Sequence, residues 1–212
     1  MSGISYSKVQ DYLNSLVPPR DPEMVVMEKY AARIGFPIIG PAAGHYCYQV
    51  ARMVGARSVF ELGSGYGYST AWFAKAVKEN GGGLVHHTVW DAKLSERAHR
   101  HLARMGLDGM VAFHVAEAME SLRLQTNTFD LIFNDIEKQD YPASLPLIKE
   151  KLRCGGVLIV DNMLWNGRVF SRSDRSAATQ GVRQFTKAIT ADPDWIVDLV
   201  PVRDGMVIGY RK

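Results

Sequence analysis

The sequence predicts a three-layer, doubly wound α/β domain on a mostly parallel, seven-stranded sheet. Three observations lead there. Short apolar runs alternate with helical segments, the pattern of βαβ units. The first of those runs, 58–62, ends in a glycine cluster that turns directly into a helix. The last two runs flank Asp204-Gly205, a hairpin signal that adds an antiparallel strand to the sheet.

The elements follow in order. Ser7 to Leu16 reads as a short amphipathic helix stopped by Pro18-Pro19. Asp21-Pro22 is an N-cap with proline at the first helical position, opening a helix to about Arg33. Gly35 to Gly40 is a turn-rich connector, and a third helix runs from Ala42 to Val54. These three helices, within 1–54, form an N-terminal cover on the domain at 55–212. The strands are then Ser58–Leu62, Leu84–Trp90, Val111–Val115, Phe129–Asn134, Val157–Val160, Trp195–Val202 and Met206–Tyr210. Helices at Ser69–Lys78, Ser95–Met105, Ala118–Leu122, Tyr141–Leu152 and Gly181–Thr190 lie between them. Ligands of such sheets bind at the carboxyl ends of the strands.

Composition narrows the function classes. The chain has 212 residues, 47% hydrophobic and 22% charged, which suits one globular domain rather than a disordered segment. A net charge of +3 does not call for a polyanionic partner. Arg97, Arg100 and Arg104 recur at helical spacing, either as a solvated face or as a strip facing RNA. The two cysteines, Cys47 and Cys154, form no CxxC pair and read as packing residues. Met1 to Tyr12 is polar, without the apolar core of a secretory signal, and no run is long enough to span a membrane. The expectation is a soluble chain in a reducing, cytoplasmic setting.

The chemistry gathers at three strand ends. Glu61-Leu62-Gly63-Ser64-Gly65-Tyr66-Gly67-Tyr68-Ser69 sits where the first strand meets its helix. Glycines let the backbone approach a ligand, and the helix N-terminus suits a carboxylate. The alternative is a tight turn with no ligand. Glu61 argues against a dinucleotide, whose pyrophosphate it would repel. Asn134-Asp135-Ile136-Glu137-Lys138 ends the fourth strand and Val160-Asp161-Asn162 the fifth. Neighbouring parallel strands would bring these ends into one crevice, with two carboxylates and an amide as hard oxygen donors for Mg²⁺. Buried carboxylates need such a cation or a lysine partner. Taken alone, Asp161-Asn162 could also be a plain turn.

Glu61 to Thr70 resembles the first motif of the class I, S-adenosylmethionine-dependent O-methyltransferases, in particular the metal-dependent catechol and caffeoyl-CoA enzymes and their bacterial branch. The similarity runs from about Tyr12 to the C-terminus. It implies that Gly63, Gly65 and Ser69 cradle the methionine part of the cofactor and that Glu61 and Asp135 also contact the cofactor. Ile39 and Gly40 would touch the cofactor through their backbone, and Glu117 would accept from the adenine amino group. Val89 stands where the family carries its ribose-binding acid, so Asp91 is the candidate to replace it; the other outcome is weaker binding. Trp90 either flanks the adenine or packs. Asp135-x-x-Lys138 and Asp161-Asn162 match the metal motifs. By resemblance, Asp135, Asp161 and Asn162 hold a divalent cation (Mg²⁺, or Mn²⁺ or Ca²⁺), and Lys138 is the general base beside Asp135.

The implied activity is methyl transfer to a hydroxyl of a small catechol-like or other vicinal-dihydroxy acceptor by a homodimer that uses no membrane. Trp165 either stacks on the acceptor or belongs to the core. Tyr6, Tyr12 and Tyr30 either line the acceptor wall or pack. Two rival readings stay open: methylation of a hydroxylated tRNA nucleoside, and a cofactor-binding protein without catalysis. A nicotinamide enzyme fits less well, because the glycine spacing is GxGxG and no ribose acid is placed.

Overall fold

The computed structural model describes residues 5–212. Met1–Ile4, part of the polar N-terminal segment considered above, lie outside the described residues. Strands β1 (Ser58–Leu62), β2 (Leu84–Val89), β3 (Val111–Val115), β4 (Phe129–Asn134), β5 (Leu152–Val160), β6 (Trp195–Val200) and β7 (Met206–Arg211) form one sheet in the order β3-β2-β1-β4-β5-β7-β6. β1 to β5 run parallel, and β7 lies antiparallel between β5 and β6. The expected architecture is therefore present.

Among the described residues, eight α-helices surround the sheet: α1 (Tyr6–Ser15), α2 (Pro22–Ile34), α3 (Gly40–Met53), α4 (Tyr68–Glu79), α5 (Ala92–Arg104), α6 (Ala118–Arg123), α7 (Tyr141–Lys151) and α8 (Ala177–Ala191). The central strands are apolar on both faces because both faces are covered. Val59, Leu131, Phe133 and Ile159 pack under α3 and α4, in one cluster with Met27 of α2. Phe60, Ile132, Leu158 and Val160 pack under α7 and α8 with Ile148 and Phe185.

The register fixes the site. Leu62 pairs with Asn134, and Asn134 with Val160. The residues that follow, Gly63, Asp135 and Asp161, thus stand in one row at the carboxyl edge. The backbone confirms that row: Asp135 N–H donates to Leu62 O at 2.9 Å, and Asp161 N–H to Asn134 O at 3.1 Å. Strand order reverses between β1 and β4, which opens a crevice at that edge.

Several boundaries differ from expectation, each for a local reason. α5 begins at Ala92, not Ser95, because Asp91 caps it by accepting from Lys93 N at 2.7 Å. α8 begins at Ala177, not Gly181, with Ser176 as its cap. β5 starts at Leu152 and carries Gly155-Gly156 through a register shift opposite Phe129/Leu131. That irregular stretch leaves Cys154 exposed, correcting its reading as a packing residue, whereas Cys47 is buried. β6 ends at Val200, so Asp204-Gly205 belongs to a longer connector, 201–205, instead of a two-residue turn.

Gly181, inside α8, packs directly against the backbone of Lys138 and Gln139. A Cβ there would lie 2.1 Å from the carbonyl oxygen of Lys138. Alanine is the better helix former by about 1 kcal/mol, yet the clash opposes it. Gly181→Ala is expected to lower stability by about 1–3 kcal/mol, read as a lower urea midpoint; a higher midpoint would contradict this packing.

Candidate active site

The crevice holds a cleft of about 1310 Å³. Single-ligand pockets span roughly 300–1,000 Å³, so this one has room for two reactants. Its wall runs from the glycine loop and the ends of β2 and β3 across to the tips of β4 and β5.

The glycine loop is held by sterics and hydrogen bonds. Gly63 has φ 86°, and a Cβ on it would lie 2.7 Å from the Asp135 carbonyl oxygen. Gly67 ends the loop in the left-handed region, and no side chain caps α4 behind it. The first N–H groups of α4 are therefore available to an anion. Ser64 is stitched to β2 by Ser64 N–H to Thr88 O (3.0 Å) and Thr88 N–H to Ser64 Oγ (2.9 Å). Gly63, Gly65 and Ser69 line the cleft as expected.

Glu61 does not line it, which corrects the expectation of a direct ligand contact. Its side chain is fully buried and accepts from Thr70 Oγ1, whose oxygen lies 3.0 Å from His87 Nδ1. Burial pushes the Glu61 carboxyl up to about 7, against the pull of Ser69, Thr70 and Ser64. Burial also pushes His87 down to about 3, so its ring is neutral. The glutamate thus braces the start of α4 from below.

Further expectations concern the cofactor side. Ile39 is buried and lines the cleft, whereas Gly40 begins α3 and does not. Asp91 is a correction: its carboxylate is used as the α5 cap, and it does not line the cleft. Val89, whose side chain has no hydrogen-bonding group, does line it. Trp90 is 80% exposed at the rim, which excludes the buried-packing reading. Glu117 lines the cleft but also caps α6, each oxygen accepting one backbone N–H, from Met119 and Glu120. An ionised carboxylate has about four lone-pair sites, so it can still accept from a ligand.

The acidic side is more tightly built. Lys138 Nζ donates to Asp135 Oδ1 at 2.6 Å and to Ile136 O at 3.1 Å, and is nearly buried below the Trp165 and Tyr141 rings. Asp161 has no exposed surface. Burial and the neighbouring Asp135 raise its pKa, and Arg203 opposes the shift. Arg203 Nη1 lies 2.7 Å from Asp161 Oδ2, while Asp161 Oδ1 is buried with no partner. Asn162, in the left-handed region at φ 59°, donates Nδ2 to Asp204 Oδ2 at 3.3 Å.

Among the described residues, each candidate ligand is left one oxygen with no hydrogen-bond donor: Asp135 Oδ2, Asp161 Oδ1 and Asn162 Oδ1. That donor set fits a hard divalent cation. No three His, Cys, Asp or Glu side chains converge on a metal position among the described residues.

Sequence reading missed Arg203, Asp204 and Gln10. Asp204 also accepts from Asn166 N at 2.6 Å, and Gln10 Oε1 accepts from Arg203 N at 2.7 Å. The only signal was Asp204-Gly205, which reads as a turn. Tyr6 lines the cleft; Tyr12 is exposed away from it and Tyr30 packs on Tyr66. Trp165 fits both of its readings, packing on the α7–α8 core and lining the cleft.

Comparison with known proteins decides the family. The O-methyltransferase family profile matches residues 24–212. The chain belongs to the O-methyltransferase family. It is 27% identical to a catechol O-methyltransferase of Niastella koreensis, over the whole of both chains. It is also 27% identical to caffeoyl-CoA O-methyltransferase 2 of Populus trichocarpa, over 95% of this chain and 87% of that one. Among solved structures it resembles the O-methyltransferase TomG of Streptomyces achromogenes, in complex with SAM. That match has a TM-score of 0.86, 26% identity and coverage of 97% and 96%.

In this O-methyltransferase the arginine strip is largely solvated, with Arg100 and Arg104 exposed and Arg97 half-buried. Arg97 stacks on Tyr30, Arg104 pairs with Glu23 at 2.9 Å, and Arg100 pairs with Glu96 at 3.5 Å. Among the described residues no helix is long and apolar enough to cross a membrane. The buried Glu61 gives a pH signature. Between about pH 4.5 and 7 the unfolded chain releases a proton that the folded enzyme keeps, so this group lowers stability as pH rises. Thermal melts of wild type and Glu61→Gln from pH 5 to 8 are expected to diverge in the variant's favour as pH rises. A constant difference would contradict the buried-acid assignment.

Proposed function

We propose that this O-methyltransferase moves a methyl group from S-adenosylmethionine to a hydroxyl of a small, vicinal-dihydroxy, catechol-like acceptor. Asp135, Asp161 and Asn162 would hold a divalent cation, and Lys138 would act as general base. The observation that carries this reading is the set of three uncommitted oxygens on adjacent strand tips, beside a nearly buried lysine. Catechol and caffeoyl-CoA enzymes among the relatives support the acceptor class, and a SAM-bound neighbour supports the methyl donor.

When bound, the cation supplies Lewis acidity that lowers a hydroxyl pKa, and the sulfonium donor supplies an electrophilic methyl. This chain's residues do the rest. The uncapped start of α4 and the glycine loop receive the amino-acid end of the donor, with Ser69 offering a hydroxyl. Ile39 and Val89 give an apolar wall, and Trp90 a broad ring at the rim. Lys138 Nζ, held in place by Asp135 and the Ile136 carbonyl, first gives up its own ammonium proton to solvent and then, as the neutral amine, takes the acceptor proton. Trp165, on the cleft wall near Lys138, offers a flat surface for an aromatic ring. Much of the acceleration comes from holding two reactants in contact.

Mg²⁺ suits this all-oxygen set, and Mn²⁺ or Ca²⁺ would use the same atoms. With an accepted catechol, Asp135→Ala and Lys138→Ala are each expected to lose at least about 100-fold in kcat/KM. A chelator should remove wild-type activity and added Mg²⁺ restore it. Turnover at the wild-type rate in either variant, or in excess chelator, would contradict the mechanism.

A further inference from the structure

The Asp161 carboxylate already has a cation of its own. Arg203 reaches it from the connector between β6 and β7, with Nη1 at 2.7 Å from Oδ2. The residue holds φ 52°, in the left-handed region that side-chain-bearing residues rarely adopt. Its N–H donates to Gln10 Oε1 of α1, and the flanking Leu164 N–H to Asp204 O bond ties the connector to the loop after β5. The backbone is thus held in an uncommon conformation at the point where the guanidinium meets a fully buried carboxylate. Arg203 is 30% exposed along its side chain and lines the cleft, whereas Asp161 is not exposed at all. Lys138 plays the matching part on Asp135.

We propose that Arg203 is a standing counter-cation for Asp161. It occupies one carboxylate oxygen, restricts Asp161 to a single ligating oxygen, and keeps the metal-free site intact at the cost of weaker divalent-cation binding. The inference rests on the reading of Asp135, Asp161 and Asn162 as a cation site. The physical case is direct. A guanidinium stays charged at any working pH. A buried carboxylate stripped of its partner strongly destabilises a fold. The same positive charge, so close to a ligand atom, repels an incoming divalent ion. If the pair were only structural, removing Arg203 would still lower stability but would leave divalent-cation affinity unchanged or weaken it.

The test compares wild type, Arg203→Ala, Arg203→Lys and the double variant Asp161→Asn/Arg203→Ala. Metal-free proteins are melted in EDTA and then titrated calorimetrically with Mn²⁺ alone. Arg203→Ala should melt at least about 5 °C below wild type in EDTA, and saturating Mn²⁺ should restore most of the loss. Arg203→Lys, which keeps the charge, should fall between them. The double variant should recover stability in EDTA, because no buried charge is left unpaired. Arg203→Ala should bind Mn²⁺ at least about threefold more tightly than wild type, as loss of a nearby like charge requires. Equal melting of wild type and Arg203→Ala in EDTA overturns the proposal. So does unchanged or weaker Mn²⁺ binding by Arg203→Ala when wild type binds. If neither wild type nor any variant binds Mn²⁺, the cation site itself is refuted and this inference falls with it.

Discussion

A carboxylate with no access to water, at the tip of a central strand, governs this active site. Asp161 lies at the end of β5 under full burial, where an uncompensated charge would cost several kcal/mol. The surrounding structure answers that cost. β5 aligns with β4 so that Asp161 neighbours Asp135, whose own charge meets Lys138. The β6–β7 connector abandons a tight turn and takes left-handed backbone at Arg203 to bring a guanidinium to Asp161. α1 then braces that connector through Gln10. The N-terminal helix and the C-terminal hairpin are drawn to the same strand tip.

The two halves of the cleft are coupled through backbone. Gly63 approaches the Asp135 carbonyl so closely that a Cβ would lie 2.7 Å from it. The loop suited to a donor's carboxylate therefore rests on the strand end that carries Asp135 and leads to Lys138. A shift on either side is felt on the other, which is how a fold holds two reactants at contact distance without a dedicated linker. Glu61 contributes from beneath, through Thr70, and never meets the cleft.

Much of the fold was legible because its signals are local. The apolar runs of β1 and β4 are buried on both faces, and Asp21-Pro22 opens α2 as its chemistry dictates. The tips of β4 and β5 were legible too, since parallel register makes neighbours of Asp135 and Asp161. What escaped was whatever one residue type can do in two ways. Asp91 and Glu117 both also cap helices, because a carboxylate at a strand-to-helix junction meets free N–H groups first; of the two, only Glu117 lines the cleft. Arg203 escaped because its partner lies 42 positions away and only tertiary closure joins them. Asp204-Gly205 carried a strong local turn signal that hid its other use.

The most direct measurement is anomalous diffraction from crystals of the enzyme soaked in Mn²⁺. The account predicts one strong peak within about 2.0–2.6 Å of oxygens from Asp135, Asp161 and Asn162, with Arg203 still on the other Asp161 oxygen. No peak among those three residues, or a peak elsewhere in the cleft with both Asp161 oxygens turned to Arg203, would contradict it.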